Sequence, residues 1–286
     1  MKLISYIHAG RESWGAVVDE QVFDLASATG IGTLAEFVGS PEFERREALL
    51  SGAAPVGGYA EVTLLPVIPR PEKIVCAVRN YMDHHQEAVG AGLKVELSSE
   101  PPIFLRVWRS QTAHNASIVR PKVSESLDWE GELAVIIGKG GRNIPEEHAY
   151  EHVAGYACYN DGSVREWQFH AKQIASGKNF EATGGFGPWM VTADEIEPGR
   201  QLKLEVRLNG EVVQSGNTGQ MIFSVPRLIS YASAIFTLSP GDVIVTGTPS
   251  GVGFSRKPPR FMKPGDVCEV EIEGVGLLRN PIVQQA

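Results

Sequence analysis

The sequence predicts an α+β fold that is mostly β. Short apolar segments of strand length recur along its 286 residues, turns containing Gly or Pro separate them, and few stretches have helical periodicity. Hydrophobic residues make up 43% of the chain and charged residues 21%, as in ordinary soluble globular proteins. This composition excludes the fibrous and disordered classes, and the length is sufficient for one or two domains.

Two ranges near the start, 4–8 and 14–19, flank a turn that contains Gly10, which predicts an N-terminal β-hairpin. Residues 33–38 and 42–50 have the apolar spacing of short amphipathic helices. We therefore expect the chain to begin with a small α+β unit.

A domain boundary follows this unit. Residues 51–59 are rich in Gly, Ala and Pro, and three prolines in the segment 64–71 form a stiff, extended connector. We therefore expect a small N-terminal domain at 1–65 and a larger domain at 70–286.

The larger domain contains further strand-like segments and few helices. A helix is expected to begin at Asn143 and to end near His152, because Pro145 and Glu146 supply helix-start chemistry. Asn209-Gly210 provides the residues that a two-residue hairpin turn requires. Strands are predicted at 73–78, 102–106, 127–138, 153–159, 204–208 and after the Pro-Gly-Asp turns at 240–242 and 264–266.

The overall charge and the cysteines limit the possible partners. The chain has 26 Lys plus Arg against 34 Asp plus Glu, a net charge of −8, and no basic run, so we expect no nucleic-acid partner. Its apolar stretches are shorter than the roughly 18 residues of a spanning helix, and its first residues lack signal-peptide character, so we expect a cytoplasmic protein without membrane contact. Cys76, Cys158 and Cys268 are too few and too widely spaced for a disulfide framework or a metal site.

Acidic residues on two predicted strands are candidates for a metal site. Strand alternation places Glu130 and Glu132 on one face, roughly 6–7 Å apart, and Asp161 ends the next strand. Three carboxylates without Cys or His suit Mg²⁺ or Mn²⁺, with Ca²⁺ as a substitute. A Glu-x-Glu pattern on a strand more often marks a solvent-exposed face. From these residues alone, a metal site and a solvated strand face both remain possible interpretations. The opposite face of the strand is predicted to lie in the core through Trp129, Leu133, Val135 and Ile137.

Other polar residues are candidates for catalysis. If the segment around His84 is helical, His84 and Glu87 are i, i+3 neighbours, and the carboxylate would orient the imidazole as a base. An exposed polar helix face is the alternative. Residues 90–102 have the composition of a moving lid, and Lys178 is a candidate for stabilising negative charge on a substrate oxygen. The Gly-rich segment 246–253, which contains Thr248, is not a phosphate loop, but its backbone amides suit a carboxylate.

Several motifs follow one another in a specific order along the chain: Asn80-Tyr81-x-x-His84-x-x-Glu87, Asp128-Trp129-Glu130-x-Glu132, Asn160-Asp161-x-Ser163-x-Arg165-x-x-Gln168, Gly177-Lys178-x-Phe180 and Thr246-Gly247-Thr248-Pro249. Their order resembles the fumarylacetoacetate hydrolase superfamily, over residues 70–284. The resemblance implies a mixed β-roll catalytic domain, a small N-terminal domain and a homodimer.

The resemblance also implies roles for individual residues. It implies Mg²⁺ or Mn²⁺ bound by Glu130, Glu132 and Asp161, water activation by His84 and Glu87, and enolate or oxyanion support by Lys178. Positions that match the substrate pocket of the family are Tyr81, Arg106, Arg165, Gln168 and Thr248.

The function expected from this resemblance is hydrolysis of a C–C bond. The substrate would be an acylpyruvate or related 2,4-dioxo acid from aromatic or sugar acid catabolism, such as fumarylpyruvate or maleylpyruvate, and the products would be pyruvate and a carboxylic acid. The stretch Arg106-Val107-Trp108-Arg109 stands where a Lys-Pro pair is frequent in the family, and we expect its two arginines to suit a second substrate carboxylate.

Two rival functions remain open. An oxaloacetate-type decarboxylase or a dienoate keto–enol isomerase needs the same metal and enolate stabilisation, but no attacking water. A non-catalytic protein that binds a metal or an acid on the same scaffold belongs to a different class.

Overall fold

The computed structural model of the protein describes residues 1–94 and 96–286. The predicted lid segment, 90–102, includes Val95, which lies outside the described residues. The strands are β1 (Lys2–His8), β2 (Arg11–Val18), β3 (Gln21–Asp24), β4 (Pro55–Gly58), β5 (Thr63–Leu64), β6 (Ile74–Ala77), β7 (Ile103–Arg106), β8 (Gln111–Thr112), β9 (Ile118–Arg120), β10 (Leu127–Asp128), β11 (Gly131–Ile137), β12 (Val153–Asn160), β13 (Ser163–Val164), β14 (Gly184–Thr192), β15 (Lys203–Leu208), β16 (Glu211–Asn217), β17 (Val243–Val245), β18 (Val267–Ile272) and β19 (Gly276–Gln284).

The helices are short. The α-helices are α1 (Leu25–Thr29), α2 (Leu34–Val38), α3 (Arg46–Gly52), α4 (Met82–Gly90), α5 (Arg165–Gln168) and α6 (Val225–Ile235). The 3₁₀-helices are Pro41–Arg45, Tyr59–Glu61, Trp108–Ser110, Glu146–His152, Ile174–Gly177, Ala193–Glu195 and Thr218–Gln220. Within residues 1–94 and 96–286, no helix combines the length and the apolar character that crossing a membrane requires.

The strands form one large mixed sheet and two smaller ones. The large sheet has the order β4-β3-β2-β1-β14-β12-β11-β17-β6-β7, with β5 attached to β1 and β8 attached to β14. The second sheet has the order β16-β15-β18-β19-β9, and β10 pairs with β13. Most pairs are antiparallel, but β17–β6, β14–β8 and β19–β9 are parallel. The predicted α+β class, mostly β, is confirmed.

The N-terminal hairpin is confirmed, and it continues the large sheet. β1 and β2 pair from Lys2↔Val17 to His8↔Arg11, and β1 also pairs with β14 through Leu3↔Met190. The large sheet therefore crosses the connector where the sequence predicts a boundary, and the division into 1–65 and 70–286 stays a prediction.

Local capping and turn chemistry explain several predicted elements. Thr33 caps α2 in a capping box with Glu36, and Asn209-Gly210 joins β15 to β16 with φ angles of 53° and 82°. The helix expected from Asn143 is shorter than predicted, because Asn143 has a left-handed φ of 52° and Pro145 is extended, so the 3₁₀-helix occupies only Glu146–His152. The predicted helix at 42–50 divides into a 3₁₀-helix and α3.

The predicted strand 127–138 is interrupted before the metal-site residues. β10 ends at Asp128 and β11 begins at Gly131, because the Glu130 amide donates to the Asn160 side chain (3.0 Å) rather than to a neighbouring strand. The predicted core residues of this segment are buried, as expected. Its other face is also buried, since Ala134 and Ile136 pack in a second core, so the solvated-face interpretation is wrong.

Candidate active site

Three acidic side chains meet at the junction of β10, β11 and β12. Glu132 lies on β11, Asp161 directly follows β12, and the pairing of Gly131 with Asn160 brings the two strand ends together. Carboxylate oxygens of Glu130, Glu132 and Asp161 all lie within 4.8 Å of one another, and all three residues are buried. The structure therefore brings together the acidic residues that the sequence predicts as metal ligands.

Cations surround two of these carboxylates. The Lys178 ammonium lies 2.7 Å from Glu130 Oε2 and 2.6 Å from Asp161 Oδ2. Arg165 Nη1 lies 2.6 Å from Glu130 Oε1, and Arg106 pairs with the other oxygen of Asp161. Burial opposes the charge of Lys178, but the neighbouring Asp161 and Glu130 carboxylates outweigh it and raise the pKa of this lysine. Lys178 is therefore an ammonium group.

The acidic residues differ sharply in their electrostatic surroundings. Burial opposes ionisation of Glu130, but Lys178 and Arg165 lower its pKa to about 2. Burial, followed by the charges of Asp161 and Glu130, raises the pKa of Glu132 well above its ordinary value. In the part of the chain that the structure describes, the amide of Gly247 is the only hydrogen-bond donor to Glu132. No cationic side chain among residues 1–94 and 96–286 forms an ion pair with Glu132, whereas Glu130 and Asp161 both pair with Lys178.

These residues fit a divalent cation. The buried acidic set, Asp128, Glu130, Glu132 and Asp161, faces three cationic side chains, so one negative charge is left uncompensated within the described residues. Carboxylate oxygens are the donors that Mg²⁺ and Mn²⁺ prefer, and three protein ligands leave positions for water and a substrate. Glu130, Glu132 and Asp161 would hold such an ion.

The predicted His84–Glu87 contact is present on α4. His84 Nδ1 lies 3.0 Å from Glu87 Oε2, and the other Glu87 oxygen accepts from Ser255 Oγ (2.5 Å) and the Gly251 amide (2.9 Å). Burial opposes ionisation of Glu87, but the hydrogen bonds from His84, Ser255 and Gly251 hold its pKa below the ordinary value. An ionised carboxylate only accepts, so Nδ1 of His84 carries the hydrogen in this contact, and Nε2 is the ring nitrogen that can act as a base.

The Gly-rich segment holds carboxylates through its backbone, as the sequence predicts, but these belong to the protein itself. Gly247 donates to Glu132, Gly251 to Glu87, and Gly253 (2.8 Å) and Phe254 (2.9 Å) to Asp128. Thr248 Oγ1 donates instead to the carbonyl oxygen of Gly131 (2.8 Å). This segment therefore fixes the positions of the acidic groups.

A cavity of about 360 Å³ opens in front of these groups. His84 and Glu87 line it from α4, and apolar side chains such as Phe104 and Val252 complete its wall. The predicted site residues that line it are His84, Glu87, Glu130, Glu132, Arg165, Gln168, Lys178 and Thr248.

Two predicted substrate-binding residues do not line this cavity. Tyr81 is fully buried beside Met221. Arg106 is buried behind Asp161, and its other donors go to Ser110 (3.1 Å) and Thr183 (3.0 Å). This arrangement suits orientation of Asp161 rather than contact with a substrate.

Arg109 also lies outside the cavity, where its guanidinium stacks on Trp108. The structure therefore does not support the expectation that Arg106 and Arg109 receive a second substrate carboxylate.

Asp128 is a site residue to which the sequence assigned no role. It is fully buried, and its carboxylate accepts from Arg165 Nε (2.8 Å) and from the amides of Gly253 and Phe254. Burial raises the pKa of Asp128, although Arg165 opposes this shift. The sequence could have indicated this role, since Asp128 is the first residue of the motif Asp128-Trp129-Glu130-x-Glu132.

Comparison with known proteins places this site in a family. The chain is 41% identical over 282 residues to human mitochondrial oxaloacetate tautomerase FAHD2A, which covers 96% of this chain and 87% of the relative. It is 42% identical over 226 residues to oxaloacetate tautomerase YisK of Bacillus subtilis, covering 78% and 74%. The crystal structure of maleylpyruvate hydrolase from Sphingobium sp. SYK-6, in complex with manganese(II) and pyruvate, matches with a TM-score of 0.83 and 28% identity over the whole of both chains. Residues 73–283 match the C-terminal domain of fumarylacetoacetate (FAA) hydrolase, and the protein belongs to this family of enzymes.

Proposed function

We propose that the protein is a metal-dependent tautomerase that interconverts the keto and enol forms of oxaloacetate or a similar 2-oxo acid. The observation that carries this proposal is the similarity to relatives named oxaloacetate tautomerases, over 96% of the chain for a vertebrate protein and 78% for a bacterial one. These relatives support the isomerase alternative more strongly than the hydrolase that the sequence motifs led us to expect.

The His84–Glu87 pair suits the proton transfer that tautomerisation requires. In the enol-forming direction, Nε2 of His84 takes a proton from the carbon next to the ketone. The electron pair of that C–H bond becomes the C=C bond, and the ketone oxygen receives the proton as the C=O double bond becomes C–O. Glu87 keeps Nδ1 protonated and stabilises the imidazolium between the two proton transfers.

Cationic donors in the cavity would hold the 2-oxo acid end of the substrate. Nη2 of Arg165 is buried without a hydrogen-bond partner among the described residues, and it can donate to a substrate carboxylate. Two N–H groups of Lys178 bond Glu130 and Asp161, and the third makes only a long contact of 3.5 Å with the carbonyl of Asp161. Lys178 can therefore direct that donor to the oxygen that gains charge. A divalent cation held by Glu130, Glu132 and Asp161 would supply further positive charge to stabilise the enolate.

Hydrolytic C–C cleavage is the second candidate function. It is favoured by the similarity to a maleylpyruvate hydrolase over the whole chain, and by a histidine base that can also deprotonate water. The two functions differ in their products, because tautomerisation leaves the carbon skeleton intact.

The decisive experiment follows the ultraviolet absorbance of freshly dissolved enol-oxaloacetate with Mg²⁺ present. We expect the protein to accelerate the decay of the enol, and EDTA to remove that acceleration. His84→Gln should lower the rate by about 100-fold or more, the usual contribution of general acid–base catalysis. His85→Gln is the matched control, because His85 neighbours His84 on α4 but does not line the cavity.

Product analysis separates the remaining functions. Proton NMR of incubations with oxaloacetate, acetylpyruvate and maleylpyruvate would reveal pyruvate if a C–C bond breaks. Unchanged enol decay would refute the tautomerase proposal. Pyruvate with the matching acid would then establish the hydrolase, and pyruvate from oxaloacetate alone would establish a decarboxylase.

A further inference from the structure

Beyond the acidic cluster, the cavity wall also contains cationic side chains. Arg165 and Lys178 are both engaged by the buried carboxylates. Three further cations line the same cavity, and none of them has an ion-pair partner in residues 1–94 and 96–286: Arg79, Lys94 and Lys172. A ligand with a second anionic group would therefore find an uncompensated cation in the cavity wall.

Arg79 differs from the two lysines in its burial. Lys94 and Lys172 are exposed at the rim, whereas Arg79 is half-buried and its Nε is fully buried without a hydrogen-bond partner among the described residues. Burial lowers the pKa of Arg79, and no carboxylate counteracts this effect. Arg79 therefore places a guanidinium without a counter-ion among the described residues in the cavity wall, where an anionic ligand can pair with it.

The backbone holds Arg79 in an unusual conformation. Its φ angle is 49°, in the left-handed region that residues other than Gly rarely adopt. The next residue, Asn80, fixes the chain, because its side chain donates to the carbonyls of Phe223 (2.8 Å) and Thr246 (2.9 Å) and accepts from the Phe223 amide (2.7 Å). Strained positions that the surrounding structure enforces are concentrated at functional sites.

From these observations we infer that Arg79 binds the second carboxylate of a 2-oxo dicarboxylate substrate. The inference rests on the proposed function for the position of the 2-oxo acid end, which Arg165 and Lys178 would hold beside the acidic cluster. An arginine suits this role because its planar guanidinium pairs with a carboxylate through two parallel hydrogen bonds. The cavity of about 360 Å³ admits oxaloacetate and longer diacids of the same class. Arg79 thus takes the role that the sequence suggested for Arg106 and Arg109.

The test compares two probes that share one end and differ at the other. Oxamate and N-oxalylglycine both present an oxalyl group, but only N-oxalylglycine has a second carboxylate, and neither can enolise. Calorimetric titration in Mg²⁺ should show tighter binding of N-oxalylglycine than of oxamate. Arg79→Asn should lower the affinity for N-oxalylglycine by about 10- to 100-fold, as expected for the loss of a charged hydrogen bond, and leave the affinity for oxamate unchanged.

The choice of variants protects the test against loss of folding. Asn tolerates the left-handed backbone at position 79, and unchanged oxamate affinity reports an intact site. Arg109→Gln is the matched control, since it removes an exposed arginine outside the cavity and should alter neither affinity. Lys172→Gln removes a rim cation and should have the smaller effect on N-oxalylglycine.

Several results would overturn the inference. These are equal binding of both probes by the wild-type protein, equal weakening of both by Arg79→Asn, or loss of N-oxalylglycine affinity in Lys172→Gln but not in Arg79→Asn. Because binding needs no turnover, failure of the proposed function is seen separately. If Arg79→Asn loses affinity for N-oxalylglycine alone, but the wild-type protein does not accelerate enol decay, the role of Arg79 is retained and the tautomerase proposal is rejected.

Discussion

Glu132 is the residue at which stability and metal binding oppose each other most directly. Its carboxylate is almost completely buried beside Glu130 and Asp161, and it lacks the cations that the other two possess. A buried charge near like charges destabilises the folded chain until a cation joins it. The same arrangement makes Glu132 a strong ligand for a divalent ion.

Glu132→Gln should therefore stabilise the metal-free protein and remove metal binding. Gln keeps the shape and can still accept from the Gly247 amide, while the repulsion disappears. The unfolding temperature in EDTA should rise by about 2–4 °C for each kcal/mol of repulsion removed. Mn²⁺ affinity should fall by more than roughly 100-fold, beyond the loss typical of residues that only support a ligand. Thermal unfolding with and without metal, and calorimetric titration with Mn²⁺, measure both effects.

Glu166→Gln is the control for this substitution, because Glu166 is an exposed glutamate outside the cluster. A lower unfolding temperature for Glu132→Gln in EDTA, or an undiminished rise on adding Mg²⁺, would contradict the argument.

His114 should make stability depend on pH on the acid side. Burial, followed by the charge of Arg279, lowers its pKa from 6.5 to about 4, and its Nδ1 accepts from the Arg279 amide (3.1 Å). Between pH 4 and 6.5, His114 is protonated in the unfolded chain but stays neutral in the folded chain. The contribution of neutral His114 to the free energy of unfolding is therefore complete above pH 6.5. It is lost as the pH falls toward 4, by up to about 1 kcal/mol per pH unit.

His114→Asn should flatten this part of the pH profile, since Asn offers an acceptor that does not titrate. Urea unfolding at intervals between pH 4 and 7.5 measures the free energy of unfolding for both proteins. His148→Asn, which replaces an exposed histidine, is the control. Parallel profiles for wild type and His114→Asn would show that His114 does not cause the slope.

The Gly-rich segment and α4 show how elements far apart in the chain build one site. Backbone amides of the segment fix Glu132 and Glu87, and Ser250 Oγ donates to Asp83 on α4 (2.8 Å). The sequence predicts the residues of both elements but not their contact. Backbone amides leave no side-chain signature, and the partners are more than 100 residues apart.

The interruption between β10 and β11 has a similar explanation. Alternation through Trp129 and Leu133 predicts the buried face correctly, because side chains on one face follow the period of two. The break depends on a hydrogen bond from the Glu130 amide to the Asn160 side chain. The alternation of apolar and polar residues carries no information about this bond.

Removing the serine contacts should loosen α4 without unfolding the protein. The double variant Ser250→Ala, Ser255→Ala deletes two hydrogen bonds to the helix, each worth about 1 kcal/mol. Amide hydrogen exchange in α4 should become roughly 10- to 30-fold faster. Enol decay should slow, while Mn²⁺ affinity should stay constant because the metal ligands lie on other elements. Exchange measured by mass spectrometry, with the exposed Ser215→Ala as control, tests this.

Unchanged exchange in α4 would mean that its packing, rather than these serines, holds the helix in place. Accelerated exchange throughout the chain would instead indicate global destabilisation, and would equally contradict the local role.

At the scale of the whole molecule, residues 1–65 and the large sheet share one hydrophobic core. Trp14 stacks on Phe37 with ring centroids 4.3 Å apart, and this pair belongs to the same buried cluster as Tyr159 and Met190. The sequence predicts the N-terminal hairpin and the proline-rich connector, since both have local signals. It does not predict that β1 joins β14, because such long-range pairing depends on side chains some 190 residues apart.

We therefore expect the full chain to unfold in a single cooperative transition, and a chain starting at Pro66 not to fold. Truncation would remove Trp14, Leu25 and Phe37 from the shared core. Each large core side chain contributes about 3–5 kcal/mol, and three such losses approach or exceed the about 5–15 kcal/mol by which a folded protein is stable. Truncation would also leave β14 without β1. Calorimetry of the full chain and size-exclusion chromatography of the truncated chain test this. A monodisperse truncated protein that still binds Mn²⁺ would show instead that residues 1–65 form an independent domain.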